Sequence, residues 1–233
     1  MVASPGRGTM MVVVGEEQAS KRIDEARRRA ELVLPRAVDL WGLSWDRDDD
    51  ALDVDASSGD ARDDCLPESF PEAARLADAD VTFVRARKGG LVHAMSAVFD
   101  DPLSAHQAWR QLGDIPFVTC FAESVVAAVE VEGDVELLGP VVQPDPAGGA
   151  DPGTDHPSLA AARAGRRTTR ARVTLAAASD AALLPIAIDV AVIVAGPVVV
   201  MLWAVERPGP AKDRGWSRLV ERIERKCEVA AAP

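Results

Sequence analysis

The stretch that most constrains the fold runs from residue 81 to residue 120. Residues 81–87 and 91–99 are two apolar, β-prone runs separated by Lys88-Gly89-Gly90, and the second alternates so that Leu91, His93, Met95, Ala97 and Phe99 share one side. A period of two marks a strand with two distinct faces, and glycines between two such runs mark a hairpin turn. At Asp100-Asp101-Pro102 the period changes. Asp101 suits an N-cap, because its carboxylate can accept the orphan N–H groups of a first helical turn; Pro102 suits the first helical position, where an N–H is not needed. Ala105, Ala108, Trp109 and Leu112 recur at helical spacing, which sets His106 beside the solvent face and leaves Gly113 as a left-handed C-terminal residue. The unit reads as strand, turn, strand, helix, with Cys120 shortly after.

The same order recurs near the C-terminus. Residues 181–205 form an apolar run long enough to cross a bilayer. Pro185, Asp189 and Gly196-Pro197 interrupt it, however, and its dense valines suit buried strands over 186–194 and 198–205, so no integral membrane segment is expected. A last helix over 213–227 carries Trp216, Leu219, Val220, Ile223 and Cys227 on its apolar stripe, where Cys227 acts as a small hydrophobe. The topology repeats without any repeat of residues.

Between these units the signals are weaker. Residues 1–15 read as a flexible tail, in which Gly6-Arg7-Gly8 lacks the preceding strand of a phosphate loop. An amphipathic helix is predicted over 16–34, with Ile23, Ala26, Ala30, Val33 and Leu34 on one face and Pro35 ending it. Residues 40–45, with Trp41, Gly42 and Trp45, suit a strand or extended segment that puts indole into the core. An acidic loop follows over 46–64. Asp53, Asp55 and Ser57 fit the odd positions of a calcium loop, but Gly59 is one place late and Asp64 stands where a closing Glu belongs, so a solvated loop is the expectation. A short helical segment is predicted from Phe70-Pro71-Glu72 to residue 79. Residues 117–131 suit a helix that gives way to a strand over 135–142, and 144–157, containing His156, is a loop. Residues 166–176 alternate as a strand whose row of Thr168, Arg170, Arg172 and Thr174 faces solvent or the acidic loop. The chain therefore divides into a tail (1–15), an N-terminal helix (16–34), one domain (35–229) and a short tail (230–233).

With 233 residues, 48% of them hydrophobic, the chain is long enough for one sizeable core. A formal net charge of −11 argues against nucleic acid or an anionic membrane as partner, since both depend on clustered cations. Cys65, Cys120 and Cys227 lack the close spacing of a metal or redox motif, which leaves one disulfide or three free thiols. No cofactor or metal is expected: His93 has no second imidazole or carboxylate at ligand spacing, and a ring among large apolar residues suits a core histidine. Catalysis by Cys120 with His93 or His106 needs a thiolate beside an oriented imidazole, and nothing in the spacing indicates one, so no enzyme is expected. The apolar run over 10–14 is too short for the core of a signal peptide.

Together these elements predict an α+β fold: one antiparallel sheet of about five to six strands with helices packed on a face, plus the N-terminal helix. The order of features resembles the extracytoplasmic sensor-like domains of actinobacterial receptor Ser/Thr kinases and the related small cell-envelope lipoproteins, which have a PsbP-like fold. The resemblance covers about residues 35–226. It is carried by Leu40 to Trp45, Cys65, Val98-Phe99-Asp100, the helix with Ala105, Ala108, Trp109 and Leu112, Cys120, and the paired C-terminal strands before an amphipathic helix. It implies a disulfide between Cys65 and Cys120, a place in the cell envelope, and non-enzymatic binding of a small ligand or protein in a cleft between sheet and helices. The alternative, in the absence of a recognisable export signal, is a cytoplasmic interaction protein whose N-terminal helix and acidic loop meet a partner.

Overall fold

The structure, a computed structural model, describes residues 9–42, 45–48, 65–85, 90–128, 136–144, 166–179, 182–206 and 210–232. The predicted calcium-like and acidic loop positions from Asp53 to Asp64, and His156, lie outside the described residues. In chain order the helices are α1 (Thr9–Val33), α2 (Pro102–Leu112), α3 (Ile115–Ala128) and α4 (Pro210–Ala231). The strands are β1 (Asp46–Arg47), β2 (Arg75–Arg85), β3 (Gly90–Phe99), β4 (Glu136–Pro144), β5 (Arg167–Ser179), β6 (Ala182–Ala195) and β7 (Val198–Glu206). They form one sheet in the order β1-β2-β3-β7-β6-β5-β4, with every neighbouring pair antiparallel.

The fold class is the expected α+β, with six long strands and a two-residue edge strand. The two predicted hairpins, β2–β3 and β6–β7, are present. They join through their second strands, which sets Met95 opposite Met201 and His93 opposite Trp203. Gly196 turns the second hairpin at φ +53°, a backbone angle that a side chain disfavours.

Alternation along the central strands builds two cores. Val92, Ala94 and Val98 of β3, with Val81 and Phe83 of β2 and Val198, Val200 and Leu202 of β7, pack against Ala26, Ala30 and Val33 of α1 and the Trp216–Leu219–Val220–Ile223–Cys227 stripe of α4. On the opposite side Phe99, Val199, Met201, Trp203 and Val190, Val192 and Val194 of β6 meet Ala105, Ala108, Trp109 and Leu112 of α2 and Phe117, Val118 and Phe121 of α3. Helices thus cover both faces. This explains the long apolar run around β6 and β7, since a strand buried on both sides has no polar row to break its pattern. No described helix is long and apolar enough to cross a membrane.

Several local expectations change. The helix predicted over 16–34 runs from Thr9 to Val33. The extended segment predicted over 40–45 is displaced: Leu40 and Trp45 are buried as expected, but Gly42 bends the backbone at φ +77° and pairing begins only at Asp46. The helical segment expected from residue 70 shrinks to one 3₁₀ turn, Glu72–Ala74, and β2 starts at Arg75. There the odd positions Ala77, Val81 and Phe83 are buried while Asp78 and Asp80 point out, and small alanines hid that period of two.

In α2, Asp101 caps as expected, accepting from the N–H groups of Leu103 at 2.7 Å and Ser104 at 3.0 Å. The Ser104 hydroxyl donates to the same carboxylate, and these bonds hold the Asp101 carboxyl below its ordinary range. Gly113 is not left-handed, however: its φ is −91°. Close approach accounts for the glycine instead, because a Cβ there would lie 3.1 Å from the Thr169 side chain.

Candidate ligand-binding cleft

On the α2–α3 side of the sheet, α2 lies mainly over β6 and β7 and α3 over β4 and β5. The exposed part of β2, β3 and β7 beside α2 opens into a recess of about 270 Å³. Its floor is Met95 and Ala97 of β3 with Val199 and Met201 of β7; Leu112 stands at the α2 side, Phe70 forms a wall, and Arg75, Asp78 and Asp80 of β2 line the rim.

Each part is positioned by local rules. The predicted one-sided set on β3 supplies His93, Met95, Ala97 and Phe99, all of which line the cleft. His93 is buried at its inner end, where Nδ1 is hydrogen-bonded to Thr82 Oγ1 at 2.9 Å and the ring lies 5.4 Å from that of Trp203. It is the satisfied core histidine the sequence suggests. Arg75 is ion-paired with Glu72.

The Phe70 wall is held from two sides. Gln107 Nε2 donates to the Ser69 carbonyl at 2.7 Å and Gln111 Nε2 to the Ser69 hydroxyl at 2.8 Å, tying the wall to α2. The sulfurs of Cys65 and Cys120 are 2.01 Å apart, at disulfide distance, with Cα atoms 5.8 Å apart, which links the start of the same segment to α3. Phe70 itself meets Phe99 edge-on at 6.5 Å. Chemically, the cleft offers a soft apolar floor, in which two thioethers adapt to irregular shapes, and a charged rim of Arg75, Asp78 and Asp80.

The remaining residues considered from sequence are dispersed. His106 is not beside solvent: it is 4% exposed, its ring lies 4.9 Å from that of Trp109, and its Nε2 has no hydrogen-bond partner among the described residues. Burial, then the nearby Arg167 and Arg110 charges, lower its pKa below the ordinary value. Cys227 is fully buried on α4, where burial, with Glu224 and Glu228 nearby, pushes the thiol up to about 12. No cluster of three or more metal-ligating side chains occurs among the described residues.

The β5 row expected to be wet is so only in part: Thr174 is exposed and Arg172 about a third exposed, while Arg170 is largely covered, and the acidic loop from residue 49 to Asp64 lies outside the described residues. Arg172 Nε donates to Asp189 at 2.6 Å, and Arg170 and Thr168 meet Glu224 of α4 at 3.7 and 2.7 Å. Sequence reasoning missed Met201, Phe70, Asp78 and Arg75 as cleft residues. The first depends on the β3–β7 pairing, Asp78 and Arg75 on a β2 that begins earlier than its local pattern suggests, and Phe70 on the ties of Ser69 to α2 and of Cys65 to α3.

No family model matches the chain, and neither does any curated protein. Among solved structures the chain is similar to the extracellular domain of PknH from Mycobacterium tuberculosis, at 10% sequence identity and a TM-score of 0.43, covering 86% of this chain and 97% of that one.

Proposed function

We propose that the chain is a non-enzymatic, sensor-like binding domain whose ligand sits in the β2–β3–β7 cleft. The observation that carries this reading is the recess itself: an apolar floor of Met95, Ala97, Val199 and Met201 open beside α2, with Asp78 and Asp80 at the rim. At about 270 Å³ it is near the lower size range for small-molecule sites. The floor suits a compact apolar body and the Asp78 carboxylate suits a cationic or hydroxyl-bearing edge, either of a small molecule or of a protein side chain inserted from a partner. Closure of Cys65 with Cys120 supports the reading by fixing the Phe70 wall. An oxidised pair also suits the cell-envelope setting that the resemblance to actinobacterial sensor domains and PsbP-like lipoproteins implies.

The test is thermal denaturation of the full chain with muropeptides, short-chain lipids and lysine-containing peptides, beside a Met201→Trp variant that fills the floor. A ligand at a hundred times its Kd stabilises the fold by about 2.7 kcal/mol, a rise in Tm of roughly 5–10 °C for a chain of this size. The expected result is such a rise in the parent protein and its loss in Met201→Trp. Absence of any rise, or an equal rise in the variant, overturns the assignment. Thiol counting on protein from its native host separates the envelope from the cytoplasmic interaction protein: one free thiol supports the envelope and three support the cytoplasm.

A further inference from the structure

A second recess, of about 340 Å³, lies on the other side of the sheet between the bend at residues 39–42 and α4. It is lined by Trp41 and Gly42 and by three arginines of one helix, Arg214, Arg218 and Arg222. Positions four apart on a helix are neighbours, so this row sets three like charges side by side, an arrangement that is unfavourable unless an anion answers it.

The charged groups around the recess answer Arg222 but not Arg214 or Arg218. Asp39, the carboxylate lining it, accepts from Lys226 Nζ at 2.7 Å and from the Arg36 backbone N–H at 2.9 Å. Burial alone would raise the Asp39 carboxyl, but Lys226, the Arg36 N–H and Arg222 hold it below its ordinary range. Arg222 is held in place by the Val38 carbonyl at 2.9 Å and lies 3.7 Å from Asp39. Arg214 and Arg218 are exposed and form no ion pair among the described residues, in a chain whose formal net charge is −11. The recess is shaped by Gly215: a Cβ there would clash with the Trp41 side chain, so only a bare helix backbone lets that side chain pack so closely against α4.

We propose that this recess binds a phosphate-type oxyanion, with Arg214 and Arg218 as the principal donors and Arg222 as the anchored third. The planar guanidinium fork matches oxyanion geometry, and the charge-assisted bonds it makes are among the stronger ones available at a protein surface. The oxyanion comes either from a soluble phosphorylated compound or from a phospholipid headgroup.

The probes are inorganic phosphate, titrated against chloride at matched ionic strength while the Tm of the full chain is followed, and sedimentation with phosphatidylglycerol or phosphatidylcholine vesicles. The expected result is a saturable, phosphate-specific rise in Tm, weakened roughly tenfold in apparent affinity by Arg218→Ala and abolished by Arg214→Ala combined with Arg218→Ala. Arg218→Lys, which keeps the charge without the fork, falls between. Both positions are exposed, and an unchanged far-UV spectrum verifies that the variants fold. A phosphate response without vesicle binding assigns the site to a soluble ligand. Arginine-dependent binding to phosphatidylglycerol alone assigns it to a headgroup. Equal effects of phosphate and chloride without vesicle binding, or responses unchanged in the double variant, overturn the proposal. Met201→Trp leaves the phosphate response intact, which keeps this site separable from the cleft.

Discussion

Arg172 of β5 donates from Nε to Asp189 of β6 at 2.6 Å, and the aspartate is 2% exposed. The same guanidinium reaches Asp213 of α4 at 2.7 Å, so one side chain ties two strands to a helix. Removing it takes the charged donor away from a buried carboxylate, the costly way to break an ion pair. Because Arg172 is itself about a third exposed and water can partly replace it, Arg172→Ala is expected to cost roughly 3 kcal/mol, the low end for such a pair. Asp213→Asn, at the half-exposed end, should cost under about 1 kcal/mol. Urea denaturation of the two variants measures the difference, and equal costs would count against a buried pair.

The Cys65–Cys120 pair closes a loop with a sequence separation of 55 residues. On the chain-entropy model a cross-link of that span stabilises by about 4 kcal/mol. Replacing both cysteines by serine should lower stability by about that amount and loosen the Phe70 wall, so cleft binding weakens along with the fold. Denatured, unreduced protein should titrate with one thiol, that of Cys227; in the native state even this thiol should resist labelling at neutral pH, because burial raises its pKa.

His106 makes stability depend on pH. Its folded pKa lies below its unfolded value, because burial and the Arg167 and Arg110 charges disfavour the cation. Between those two values the unfolded chain binds the proton and the folded chain does not, so this contribution is fully present above the unfolded pKa of about 6.5 and is lost as pH falls toward the folded value. The imidazole should titrate below about 6.5 by NMR. His106→Phe should flatten the fall in Tm between roughly pH 7 and 5, and an unchanged slope in that variant would refute the assignment.

Three glycines separate backbone strain from crowding. Gly196→Ala forces a side chain into the left-handed region and brings it 3.1 Å from the Ala231 Cβ, so a loss of about 1–2 kcal/mol is expected. Gly113→Ala incurs no such backbone cost and meets only Thr169, so its cost should be smaller. Gly215→Ala drives a methyl into Trp41; overpacking of about 1–3 kcal/mol outweighs the roughly 1 kcal/mol that alanine gains over glycine in a helix. Denaturation midpoints give the order, and tryptophan fluorescence should shift for Gly215→Ala alone.

Features made by neighbours in the chain were legible in advance. The alternation of β3, the Asp101 cap, the glycine turn between β6 and β7 and the apolar stripe of α4 each depend on residues a few positions apart, and each is found where the pattern puts it. The cleft was half legible. Its β3 wall follows from periodicity, but Met201 joins it only because β7 pairs with β3. His106 escaped because a helical pattern says which residues form a stripe and not how deeply the helix sinks; here the ring lies against Trp109 and near Arg167.

The sequence by itself determined the two hairpins, the capped helix α2, the apolar stripe of α4 and the two rows of β3, because turn chemistry, caps and periodicity are local. The tertiary structure alone decided that helices cover both faces, that β3 and β7 meet at the centre, and that Arg172 and Arg170 of β5 pair with Asp189 and Glu224. Those outcomes are set by which distant surfaces bury the most apolar area and satisfy the most charge together, and a local pattern is silent about its distant partner.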